Sequence, residues 1–134
     1  MKNYRIISCL FLFSILLQGC SQPESPGACT DEFVTHSVTV LNQAGELADS
    51  VNIQVTNKSG NLFECDEYLC QETFIGTYII MHDGLRERIS DSKETFTVVG
   101  MKDELQFNED FVFRSGECHV EKVAGPDTVS LMSN

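Results

Sequence analysis

From Phe33 to Met132 the chain runs in short stretches of alternating apolar and polar residues, each closed by turn-forming residues, and no stretch holds a helical apolar period for three turns. That grammar predicts an all-β fold. Val34, His36, Val38 and Val40 share one face of a first strand, with Thr35, Ser37 and Thr39 on the other. Val51, Ile53 and Val55 repeat the pattern after a turn at Asn42-Gln43-Ala44-Gly45. Leu62 to Thr73 reads as a hairpin, and Phe74 to Met81, apolar on both faces apart from Gly76 and Thr77, as a central strand covered on both sides. Asp83-Gly84 ends it, and the charged segment Arg86 to Lys93 reads as a loop or an exposed edge.

Thr95 to Val99 is a further strand. Leu105, Phe107, Phe111 and Phe113 then share a parity with Glu109, which predicts a bulge or a break at Asn108-Glu109-Asp110. Cys118 to Val123 and Thr128 to Met132 close the series. Seven to nine short strands at this spacing predict a single antiparallel β-sandwich, with a barrel as the neighbouring solution.

The chain begins differently. Lys2 and Arg5 precede an apolar run from Ile6 to Leu17, which is the layout of a secretory signal peptide and too short for a membrane span of roughly 20 residues. Leu17-Gln18-Gly19-Cys20 resembles the lipobox of bacterial lipoproteins. The resemblance implies removal of residues 1–19, acylation of Cys20 as the first mature residue, and anchoring by several acyl chains. It also implies the outer membrane, since Ser21 stands where inner-membrane lipoproteins tend to carry aspartate. Gln18 is unusual at its position, so cleavage to a soluble exported form is the competing expectation. Residues 21–28, Ser-Gln-Pro-Glu-Ser-Pro-Gly-Ala, read as a tether of at most about 26–29 Å when extended. This keeps a domain spanning 29–134 close to the membrane surface.

Without the leader, 115 residues remain, the size of one domain. The nine basic residues fall to seven against twenty acidic ones, a formal charge of −13, which argues against nucleic acid and against binding anionic lipid through a basic patch. Four cysteines remain beyond Cys20. In an oxidising compartment Cys29, Cys65, Cys70 and Cys118 are expected to form disulfides, with three connectivities open. Cys65 and Cys70 can meet across Asp66-Glu67-Tyr68-Leu69; in that case Cys29 pairs with Cys118 and joins the two ends of the domain.

The same residues admit other chemistry. Cys65, Cys70, Cys118 and His119 have the ligand types of a zinc site, but adjacent strand residues point to opposite faces and the compartment favours thiol pairing. Asp103-Glu104 and Glu109-Asp110 could gather calcium only without its loop spacing, so solvated charges are expected. His36, His82 and His119 show no paired spacing, and no nucleophile elbow or phosphate loop is present. No catalytic residue, cofactor or metal ligand is therefore assigned.

Ser37 to Val40, Gly45, Val51 to Val55, Thr95 to Val99, Glu117-Cys118-His119-Val120 and Thr128 to Leu131 together resemble carboxypeptidase-regulatory-like, or transthyretin-like, β-sandwich domains. The likeness covers Cys29 to Leu131 and is closest to a lipoprotein subset of that group. It departs from the pattern between Met101 and Arg114, where a glycine-aromatic turn would be expected and Lys102-Asp103-Glu104-Leu105 stands instead. The resemblance implies disulfides Cys29–Cys118 and Cys65–Cys70, and an accessory or binding role without catalytic residues. The expected protein is an outer-membrane lipoprotein facing the periplasm, bound to the membrane through its lipid and to an envelope protein or glycan. The alternatives are a zinc-dependent periplasmic enzyme and a passive envelope component.

Overall fold

A computed structural model describes residues 29–133. The leader, Cys20 and the tether lie outside the described residues. Ten strands make two sheets: β1 (Thr35–Leu41), β2 (Asn52–Asn57), β3 (Leu62–Phe63), β4 (Glu72–Phe74), β5 (Thr77–His82), β6 (Glu94–Lys102), β7 (Leu105–Ser115), β8 (Val120–Ala124), β9 (Thr128–Ser130) and β10 (Met132–Ser133). One sheet has the order β4-β5-β1-β9. The other runs β3-β2-β6-β7, with β8 and β10 sharing the outer edge of β7.

The inner faces follow the alternation. Val38 and Val40 of β1, Ile53 and Val55 of β2, Phe96 and Val98 of β6, and Phe111 and Phe113 of β7 are all buried. Phe63 meets Phe96 edge-on at 5.5 Å, and Phe96 meets Phe113 at 5.9 Å, geometries that suit the ring quadrupoles. Each such side chain contributes roughly 1.5–3 kcal/mol by leaving water. Gly100 lies opposite Phe107, whose ring covers the place a Cβ would occupy.

The sandwich is all-β as expected, but four local readings change. Leu62 to Thr73 is not a hairpin: β3 pairs with β2 in one sheet and β4 with β5 in the other. The Cys65–Cys70 segment is the corner between the sheets, and a short disulfide closes a corner as readily as a hairpin. The central strand begins at Thr77, because Gly76, at φ +73°, turns the chain and leaves Phe74 and Ile75 exposed at a hairpin tip. β6 and β7 pair without interruption from Glu94 opposite Phe113 to Lys102 opposite Leu105, so Glu109 causes no bulge in that ladder. The break lies on the other edge of β7, between β8 and β10. Finally, the last run divides at buried Leu131: β9 runs parallel to β1, and β10 crosses to pair antiparallel with β7.

The segment Arg86 to Lys93 begins inside a 3-10 helix, Asp83–Arg88, whose apolar contacts come from Leu85 and, just beyond it, Ile89. Two buried residues four positions apart do not make a strand row, in which every second residue faces the core.

Candidate functional site

Two places in the fold gather chemistry. The first is the pole at which the described chain begins. β1 starts there, β5 ends there, and the turn between β7 and β8 meets them. Cys29 and Cys118 are bonded, with Cα atoms 5.3 Å apart, and Cys65 and Cys70 are bonded at 5.5 Å. Both expected pairings are present. Thiolates so used cannot ligate zinc. Among the described residues no group of three or more His, Cys, Asp or Glu side chains is gathered around a common point.

All three histidines converge on this pole, a convergence their sequence spacing does not show. An extra residue in β5, Ile80, falls between the pairs Ser37/Ile79 and His36/Met81. His82 follows at the strand's end, buried, with Nε2 3.1 Å from Asp66 Oδ2 and Nδ1 accepting from the Gly84 N–H at 3.1 Å. Asp66 also accepts from the N–H groups of Tyr68 and Leu69 at 2.8 and 2.7 Å. Partial burial pushes its carboxyl up, but these two donors and His82 outweigh it and hold the group below the ordinary carboxylate range. Phe33, Tyr68 and His82 pack ring to ring at 5.0–5.6 Å.

Asp83 is the hub. Its Oδ2 accepts from the Val34 N–H at 2.8 Å and lies 2.7 Å from His119 Nδ1, while Oδ1 accepts from the Val120 N–H at 2.8 Å. Burial raises its pKa, and the three partners together bring it below the usual value. His119 Nε2 is 3.3 Å from Thr30 Oγ1, so hydroxyl, imidazole and carboxylate stand in the order of a nucleophilic triad. The carboxylate, however, also fixes two backbone N–H groups from separate segments. The arrangement is accounted for as a clasp joining the lead-in, the 3-10 helix and β8. His36 Nε2 contacts the Val120 carbonyl at 2.9 Å, so its polar end is satisfied. Arg86 donates to the Gly116 and Glu117 carbonyls at 3.0 and 2.6 Å and completes the pole.

Asp66 and Asp83 were missed as site residues by sequence reading. Asp66 opens a turn and accepts from the N–H groups two and three residues on, which was the available signal; the partners of Asp83 are 36 to 49 residues away, and no local signal marked it. Tyr78 was missed too. Its hydroxyl donates to the Ala48 carbonyl at 2.8 Å and accepts from the Val51 N–H at 3.0 Å, fixing the crossover between β1 and β2. Burial, first of several causes, pushes its pKa up to about 12.

The second place is a lateral cleft of about 400 Å³ between β7 and β9, lined among others by Phe107, Asn108, Glu109, Thr128 and Ser130. Glu109 keeps the inward parity of Phe107 and Phe111, yet it is exposed because the sandwich opens at this side. The possible calcium set is not assembled. Asp103-Glu104 forms the β6–β7 turn, whereas Asp110 lies well along β7 and accepts from the Thr97 hydroxyl at 2.8 Å. No protein-family model, curated protein or solved structure matches the chain.

Proposed function

We propose that this chain is a lipoprotein of the bacterial envelope, acylated at Cys20 and held at the outer membrane facing the periplasm, whose sandwich is a non-catalytic binding module of the carboxypeptidase-regulatory-like kind. Its partner is an envelope protein or glycan. The observation that carries the binding reading is the lateral cleft, where the middle of the outer edge of β7, between its β10 and β8 pairs, and the far edge of β9 have no strand partner among the described residues. Exposed edges of this sort take ligands by main-chain hydrogen bonding, with affinity tuned by neighbouring side chains. The pole with both disulfides holds the lead-in rigidly, so a lipid at Cys20 would set which end of the sandwich faces the membrane.

In-cell crosslinking and affinity capture of the native chain against Cys20→Ala tests location and binding together. A partner recovered repeatedly with the native chain and lost with Cys20→Ala supports the reading. Recovery of nothing beyond abundant envelope proteins with either form rejects protein binding, and equal membrane fractionation of the two forms rejects the lipid anchor.

A further inference from the structure

The cleft also carries information about what would fill it. On one side, residues 107–111 of β7 pair with β6. On the other they lie between the last β8 pair, Val112 with Ala124, and the first β10 pair, Gln106 with Met132. Alternate residues of an antiparallel strand direct their N–H and C=O groups to opposite neighbours. Part of this stretch therefore turns backbone donors and acceptors toward the cleft. Gly125 packs against Phe111, so the stretch that lines the cleft is Phe107, Asn108 and Glu109, about 10 Å of strand and enough for two or three residues of a paired segment. β9, which pairs with β1 on its far side, supplies the facing wall with the hydroxyls of Thr128 and Ser130.

Among the described residues Glu109 is the one charged side chain lining this space, exposed and placed where the part of β7 that faces the cleft ends. The nearby Lys122 is occupied elsewhere, with the Pro126 carbonyl and Asp127. The whole chain carries a formal charge of −11, so its field favours cations approaching the cleft.

Resting on the binding reading above, we propose that the cleft takes a short extended peptide segment carrying a lysine or arginine, added as a strand to the free edge of β7 with its cation against Glu109. The backbone supplies the affinity and the carboxylate selects the sign of charge. A glycan would use the hydroxyls and Glu109 but would have no need of the strand edge.

The test uses the full chain in detergent and two pools of acetylated, amidated pentapeptides built from valine and threonine, one with lysine fixed at the centre and one with glutamate. Hydrogen exchange is followed by mass spectrometry over Leu105–Ser115. The lysine pool at millimolar concentration is expected to slow the fast-exchanging amides of 107–109 at least tenfold, and the glutamate pool to leave them unchanged. Glu109→Lys, at an exposed position that leaves the core intact, should reverse the preference. The proposal is overturned if neither pool slows these amides, if protection appears instead on the β4 edge, or if Glu109→Lys still prefers the lysine pool. Failure here with Cys20-dependent partner capture intact would move binding to another surface. Loss of capture would remove the binding reading itself.

Discussion

Asp83 shows how much one side chain can hold together. Its two oxygens satisfy backbone donors from Val34 and Val120, residues 86 positions apart in sequence, and fix His119 between them. Asp83→Ala would leave both N–H groups without acceptors in a part-buried site, at about 1–3 kcal/mol each. We expect a loss of roughly 2–6 kcal/mol in urea denaturation at pH 7. The pH dependence has a definite sign. The native carboxyl titrates below the unfolded value of about 3.9, so the unfolded chain binds more protons in between. Stability from this group is complete above the unfolded pKa and disappears as the pH falls through the native one. Asp66 is shifted in the same direction. The Asp83 part is therefore obtained as the difference between native chain and Asp83→Asn, which should shrink as the pH falls from 5 toward 2. A difference that stays constant would show that the hydrogen bonds, and not the charge, account for the effect.

At the scale of elements, the strands were legible wherever an apolar row faced the core, because alternation reports burial directly. β1, β2, β6 and most of β7 follow this rule. Pairing was less legible. Leu62 to Thr73 has two β-type runs around a cysteine pair, and nothing in one sequence says whether those runs pair with each other or with strands of opposite sheets. Glu109 misled for a related reason: parity gives the direction of a side chain but not whether the facing sheet extends far enough to cover it. The site was legible only in its cysteines, since Asp66 acts through turn geometry while Asp83 and the histidines meet their partners through tertiary contacts.

The β6–β7 turn was the sharpest departure from the expected pattern, and the structure explains how the chain manages without glycine. Asp103 takes the left-handed conformation, at φ +54°, in a two-residue loop between Lys102 and Leu105. Aspartate tolerates that region better than most residues, though less well than glycine. Asp103→Gly should therefore relieve backbone strain while adding freedom to the unfolded chain. The net expectation is a stabilisation of about 0.5–1 kcal/mol, read as a higher urea midpoint at unchanged slope.

For the whole molecule, the chain passes between the two sheets repeatedly, and each early crossing is fastened by a different device. The first, between β1 and β2, is held by the Tyr78 hydroxyl; the second, between β3 and β4, by Cys65–Cys70; the third, after β5, by Asp83 and Arg86. The Cys29–Cys118 bond acts on another length scale, because its partners are 89 residues apart whereas Cys65 and Cys70 are only 5 apart. In the loop-entropy account a crosslink stabilises by restricting the unfolded chain, more so for the longer loop. The expected contributions are about 4–5 kcal/mol for Cys29–Cys118 and about 2 kcal/mol for Cys65–Cys70. Replacing each pair with serines and comparing urea midpoints and slopes measures both. The Cys29/Cys118 variant should show the larger loss, together with a steeper slope as its unfolded chain exposes more surface. Its native hydrogen-exchange protection in β1 and β8 should remain, because Asp83, His36 and Arg86 hold that pole without the bond. Loss of protection there under native conditions would instead mean that the disulfide acts in the folded state, holding a pole its hydrogen bonds cannot hold alone.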